Sequence, residues 1–455
     1  MCGIIGIYNH HRAAELATLG LFAEQHRGQE SCGMAVNDGK TIRLRKKMGL
    51  VKEVFTSDKL ENLKGRIAIG HVRYPTRGAS SVYNSQPHVV ETLSGPSYAL
   101  SSNGDIINYA ETREYLESKG VYFASGNDGE LLLKYIVYHV EKENFTIVEA
   151  IKKLMLYVKG AFSTVLATKT EMILFRDPYG LRPMSYGKTR DGAIAVASES
   201  CALDILYMDW HKEVEPAEII VINTDGVENI KNDPDEFRAT DTDKHCIFEH
   251  IYFSRPDSIN FGHKVFDVRE RIGAELAKSD EGSIFPDVVV PVPDSSNFIA
   301  LGYAKQKNIP FELGLIRNHY VGRTFIQPEQ TIRDESVYQK FNPLPGFFDG
   351  KKVVLIDDSI VRGTTIRKLV KLIKNAGASE VHIRIGSPAV RFSCFYGIDT
   401  PTSEELIANR MSEDEIREYT GADSLKYIPL KNLMKSVKDP QNYCDACFSG
   451  DYPVK

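Results

Sequence analysis

Hydrophobic runs long enough to cross a bilayer, which take about 20 consecutive apolar residues, are missing from this chain, and so is any excess of basic residues. With 56 Lys and Arg against 61 Asp and Glu, the net charge is -5. That balance gives no electrostatic footing for nucleic acid or for an anionic membrane surface, so neither is expected as a partner. The amino terminus lacks the basic stretch and long apolar core of a secretory signal. Seven cysteines in 455 residues are too few for a disulfide scaffold. These absences point to a reducing compartment, and a cytoplasmic location is expected.

What the chain does have is length and clear punctuation. At 455 residues it has room for two or more domains, each with its own core. Strand-like runs occur at Ile67–Arg73, Phe162–Ala167, Met172–Phe175 and Ile194–Ala197, and helical periodicity fits Ala13–Gln25, Glu130–Val140 and Ile147–Val158. Asn37-Asp38-Gly39 is a hairpin-turn signal. Asn223 to Asp243 is polar and poor in apolar residues, and it reads as a connection. Beyond Phe266 helix and strand patterns alternate, as in a doubly wound parallel sheet. The expected division is 2–233 and 234–455.

The stretch from Lys351 to Ile373, KKVVLIDDSIVRGTTIRKLVKLI, carries the densest chemistry. Val353 to Ile356 is an apolar run without alternation, the pattern of a strand buried on both faces. Asp357 and Asp358 follow at its carboxyl end, where open α/β sheets bind ligands. Gly363 allows close approach of the backbone, and the helix starting near Thr364 offers unpaired N–H groups to a phosphate. Ser359, Thr364 and Thr365 can add hydroxyl donors. Two carboxylates would repel that phosphate, so they are expected to face hydroxyls or a divalent metal. A sugar phosphate with a free diol fits this division, although an ordinary capped helix has the same outline. The string VVLIDDSIVRGTT resembles the signature of phosphoribosyltransferases, and among them the amidophosphoribosyltransferases.

At the other end, MCGIIGIYNH puts Cys2 directly after the initiator methionine. Removing Met1 would leave Cys2 a free α-amine, whose ordinary pKa of about 8 suits a base for its own thiol. This context resembles the N-terminal-nucleophile glutamine amidotransferases, in company with HRGQES (His26 to Ser31), GHVRYPTRG (Gly70 to Gly78), SSNGDIIN (Ser101 to Asn108), SGNDGE (Ser125 to Glu130), RDPYGLRPM (Arg176 to Met184) and ASES (Ala197 to Ser200). The resemblance implies that Cys2 is the nucleophile and that Asn103 and Gly104 form the oxyanion hole. It also implies that Arg73 clamps the α-carboxylate of glutamine and Asp128 its α-ammonium. Gly129 departs from the family, which more often has serine there, and PAEI at Pro216 departs from a Pro-Gly-Glu turn.

In the second half the resemblance implies that Asp294 and Ser295 of PDVVVPVPDSS contact a diphosphate and its metal, with Ser296 standing where glycine is frequent. Asp357, Asp358, Ser359, Arg362, Gly363, Thr364 and Thr365 would bind 5-phosphoribosyl 1-diphosphate, with Mg²⁺ on Ser295, Asp357 and Asp358. Gly322 to Pro343 resembles a catalytic loop that closes over the sugar. Cys444 and Cys447 form a CxxC, which alone fits zinc, iron–sulfur or redox chemistry. Matched by position, Cys246, Cys394, Cys444 and Cys447 resemble the ligands of a [4Fe–4S] cluster in one branch of the family, and zinc at the same thiolates stays open. Cys32 and Cys201 carry no motif and read as small buried residues.

The fold implied by resemblance is an α/β and α+β pair: an N-terminal-nucleophile αββα sandwich, then a type I phosphoribosyltransferase sheet. The implied activity is amination of phosphoribosyl diphosphate by glutamine, which opens purine synthesis. Feedback by purine nucleotides and assembly as a homodimer or homotetramer come with the resemblance.

Overall fold

The computed structural model describes the whole chain except residues 76, 94, 240–241, 281–283, 320–338 and 455 and the side chain of 210. Its first half is built from two antiparallel sheets. One has seven strands in the order Trp210–Glu213, Ser185–Lys188, Ile194–Ala197, Gly3–Tyr8, Ile67–Arg73, Ser31–Asn37 and Ile42–Met48. The other has six, ordered Gly226–Ile230, Ile219–Asn223, Met172–Arg176, Gly160–Ala167, Gly95–Ile106 and His88–Thr92.

Alternation along these strands sends side chains to both faces, and each face is covered. Between the sheets, Ile4, Ile69 and Val196 of the first meet Ala99, Val165 and Leu174 of the second. Outside the first sheet, Ile5 and Ile7 pack against Ala17 and Leu21 of the Ala13–Ala23 helix. Outside the second, Phe162 and Phe175 pack against the Asp128–Glu143 and Ile147–Tyr157 helices. This is the expected αββα sandwich. The Asn37–Gly39 turn joins Ser31–Asn37 to Ile42–Met48, with Gly39 at φ +88°.

The polar Asn223–Asp243 stretch differs from its reading as a simple connection. It opens with the Gly226–Ile230 strand, a hairpin partner of Ile219–Asn223 at the sheet edge. Its residues are mostly exposed, so no apolar face marks it as a strand. The chain then runs back along the first domain, where the N–H groups of Lys244 and Cys246 donate to the carbonyls of Tyr179 and Leu181.

The second domain holds a parallel sheet ordered Val288–Pro291, Lys352–Asp357, Glu380–Ile385 and Ser424–Tyr427. Val353 and Leu355 enter one core with Ile366 and Leu369 of the Thr364–Asn375 helix. Val354 and Ile356 enter another with Ile272 and Leu276 of Val265–Ser279 and with Ile299 and Tyr303 of Asn297–Lys307. Burial on both faces explains the unbroken apolar run. Most of the expected closing loop, Gly322–Pro343, lies outside the described residues; its end, Phe341–Pro343, pairs with Leu315–Arg317. No helix among the described residues is long and apolar enough to cross a membrane.

Candidate active sites

Cys2 precedes the Gly3–Tyr8 strand, and the register that sets Gly3 opposite Val72 brings Arg73 and Tyr74 alongside. Its Sγ lies 3.6 Å from the Tyr74 carbonyl oxygen, and its backbone N–H donates to Asn103 Oδ1 at 3.1 Å. That bond leaves Asn103 Nδ2 buried and without a partner. An orphaned buried donor costs about 1–3 kcal/mol, and it is the group an oxyanion would use. Gly104 follows on the same strand, opposite Phe162. A Cβ there would stand 1.8 Å from the Ala161 carbonyl oxygen, so only glycine fits.

Asp128 begins the Asp128–Glu143 helix, and Asn127 caps that helix by accepting from the Gly129 N–H. Burial, and after it the charges of Asp105 and Cys2, push the Asp128 carboxyl up to about 8. A buried carboxylate in this condition is suited to a substrate ammonium. Gly129 leaves room for Gln86, whose Oε1 would lie 2.5 Å from a Cβ. Any larger residue here would need Gln86 to move. Arg73 is fully buried, and Nη1 donates to Glu30 at 2.6 Å while Nη2 donates to the carbonyls of Arg77 and Gly78. In this arrangement it anchors the turn bordering the site, with a protein carboxylate already on its fork.

The second site lies where two neighbouring parallel strands end, Pro291 being paired with Ile356. Ser295 Oγ donates to Asp358 Oδ1 at 2.6 Å, Ser359 Oγ to Asp358 Oδ2 at 2.7 Å, and Ser296 Oγ to Asp357 Oδ1 at 3.2 Å. Burial, and then the neighbouring Asp358 charge, raises the Asp357 carboxyl well above the usual range; burial also raises Asp358. Such an acidic pair suits hydroxyls or a cation, so it fits Mg²⁺ whose other ligands come from a diphosphate. Gly363 takes φ +76° before the Thr364–Asn375 helix, with Ile407 Cδ1 2.5 Å from where a Cβ would stand. Thr364 and Thr365 are exposed in the first turn. Two expected residues point elsewhere: Arg362 donates to Glu405 at 3.1 Å, and Asp294 accepts from Arg317 at 2.9 Å.

The four singled-out cysteines do meet. Cys246 and Cys444 face each other across a two-residue parallel pairing, and Cys447 lies in the short helix after it. With Cys394 they line one cavity, closed by Leu181, Tyr396, Ile398 and Tyr452. Burial pushes the Cys246 thiol up to about 11 and raises those of Cys444 and Cys447 as well. Among the described residues no three His, Cys, Asp or Glu side chains could hold a single metal ion. Four soft donors around one apolar cavity suit a thiophilic metal centre, zinc or iron–sulfur. Cys32 and Cys201 are buried apart from this group.

A buried ionic network between the domains was not legible. Arg27 Nε donates to the Cys2 carbonyl at 2.9 Å, and its Nη groups reach Glu199 and Glu249. Glu199 also accepts from Ser258 Oγ at 2.7 Å and from the Arg255 N–H at 2.8 Å, and pairs with His26. HRGQES and ASES contain Arg27 and Glu199, and a charge within each motif was the available signal.

Comparison with known proteins matches a glutamine amidotransferase domain to residues 77–204 and a phosphoribosyl transferase domain to 258–385. The whole chain aligns at 47% identity with chloroplastic amidophosphoribosyltransferase 1 of Arabidopsis thaliana, covering 79% of that protein. It aligns throughout at 44% with amidophosphoribosyltransferase of Methanocaldococcus jannaschii, covering 98% of it. The solved glutamine phosphoribosylpyrophosphate amidotransferase of Bacillus subtilis, complexed with ADP and GMP, superposes with a TM-score of 0.90 at 42% identity, covering all of this chain and 98% of that one. Full-length identity at this level, over both domains, shows that the chain belongs to the amidophosphoribosyltransferase family.

Proposed function

We propose that the chain converts 5-phosphoribosyl 1-diphosphate, glutamine and water to 5-phosphoribosylamine, glutamate and diphosphate, the opening step of purine synthesis. The observation that carries the reading is the orphaned Asn103 Nδ2 beside Cys2. Residues 2–233 act as the amidotransferase domain and 234–455 as the phosphoribosyltransferase domain.

Removal of Met1 frees the Cys2 amine, which takes the thiol proton as Sγ attacks the glutamine amide carbon. The developing oxyanion is met by Asn103 Nδ2 and the Gly104 N–H. Collapse expels ammonia and leaves a thioester, which water hydrolyses to glutamate. Asp128 holds the substrate ammonium, and Arg73 takes its carboxylate by exchanging partners. Ammonia passes to the second site and displaces diphosphate from the anomeric carbon. Asp357 and Asp358 hold the ribose diol; Ser359 and Gly363 to Thr365 surround the 5-phosphate, with Arg362 at the edge of that loop. Asp294 and Ser295 border the diphosphate. Mg²⁺, which Ser295, Asp357 and Asp358 would hold, supplies charge neutralisation on the leaving diphosphate.

With purified protein, glutamate and diphosphate should appear in equal amounts when both substrates are present. The glutamine KM should fall as pH rises through about 8, because Asp128 must ionise to hold the ammonium. Unequal products, or a KM flat in pH, would count against the assignment.

The four cysteines are proposed to hold a [4Fe–4S] cluster. Their meeting around one cavity supports four thiolate ligands to a shared centre. Protein prepared without oxygen should be brown, with about four iron and four sulfide per chain; colourless protein with stoichiometric zinc would refute this. Cytoplasmic placement, a homodimer or homotetramer, and feedback by purine nucleotides complete the proposal, the last supported by the ADP and GMP complex of the Bacillus subtilis neighbour.

A further inference from the structure

The segment carrying Cys394 reaches the glutaminase centre at two places. Gly397, at φ +99°, lies against the backbone of Gly104 so closely that a Cβ on it would stand 2.9 Å from the Gly104 carbonyl carbon and 3.0 Å from its oxygen. One residue earlier, the Tyr396 carbonyl accepts from Arg182 Nε at 2.8 Å and from Nη2. Arg182 Nη2 is also 3.9 Å from Cys394 Sγ. Its Nη1 makes no hydrogen bond and lies 3.5 Å from Glu249 Oε1. Glu249 holds Arg27, and Arg27 holds the Cys2 carbonyl. Arg27, Arg182 and Glu249 are all fully buried.

We infer that the Cys394–Ile398 segment of the cysteine site braces the glutaminase centre, with Gly397 and Arg182 as positioning residues. Gly397 backs the Gly104 half of the oxyanion hole. Arg182, through Glu249 and Arg27, fixes the carbonyl of the nucleophile. Buried charge pairs suit such a role, because removing one partner strands the others and the arrangement has few alternatives. The inference rests on the glutaminase reading of Cys2.

The test uses Gly397→Ala and Arg182→Lys in the full-length protein, with iron and visible absorption measured on each. Displacement by the new methyl should lower kcat for glutamine hydrolysis by about a hundredfold, the scale of losing one oxyanion donor or shifting the reacting groups by about 1 Å. The glutamine KM, ammonia-dependent synthesis and iron content should stay at parent values. Arg182→Lys keeps the charge but not the fork, so about a tenfold fall in the same kcat is expected; it carries the test where Gly397→Ala fails to fold. Unchanged kcat in a soluble variant would overturn the brace, and so would parallel loss of both activities, which marks a purely structural role. A parent enzyme unable to hydrolyse glutamine would instead overturn the reading beneath it.

Discussion

Exchanging Asp357 for Asn is expected to slow ammonia-dependent synthesis of phosphoribosylamine, or weaken phosphoribosyl diphosphate binding, by tenfold to over a hundredfold. The figure follows from losing a charge-assisted hydrogen bond worth about 1.5–3 kcal/mol. Glutamine hydrolysis at Cys2 should persist on its own substrate contacts. Stability should move the other way. Burial and the Asp358 charge raise the Asp357 carboxyl above its unfolded value, so the folded state binds more protons and the group's ionisation subtracts stability as pH rises through the raised value. Removing that charge should leave the melting temperature equal to the parent's in acid and higher above neutrality. Kinetics across a phosphoribosyl diphosphate titration, together with melts at two pH values, check both parts. A lower melting temperature with unaltered kinetics would reduce the pair to caps of the following helix.

Much of this was legible because the signals are local. The unbroken run Val353–Ile356 announced a strand covered on both faces, and both cores are there. Cys2 and the Asp357–Thr365 loop carry chemistry that their residue types suggest directly, whereas Asn103 and Asp128 were singled out through the family resemblance. The Gly226–Ile230 strand stayed hidden because an exposed edge needs no apolar alternation. Arg27, Glu199, Glu249 and Arg182 escaped for another reason: their partners lie up to 222 positions apart, and a charged residue in sequence gives no sign of being buried against another. Gly397 is similar, since its need for a bare backbone arises only when Gly104 arrives from the other domain. Arg73 and Arg362 show the converse limit. A motif names the residue, while its partners in the fold, here Glu30 and Glu405, are set by packing.

The central claim is that one chain runs two chemistries linked by ammonia, with Cys2 serving only the first. Cys2→Ser should therefore reduce glutamine-dependent synthesis by several orders of magnitude, up to about a millionfold, as expected when an enzyme loses its nucleophile. The serine hydroxyl keeps the size and the backbone contact to Asn103 but is far weaker as a nucleophile near neutrality. The second site takes Asp357 and Asp358 from the end of a separate parallel sheet, so ammonia supplied from solution should bypass the lesion. The deciding measurement is diphosphate release by the folded Cys2→Ser protein with phosphoribosyl diphosphate and Mg²⁺, once with glutamine and once with concentrated ammonium at high pH. The account expects a parent-like rate with ammonia and none above background with glutamine. Loss of both rates, or retention of the glutamine-dependent rate, would contradict it.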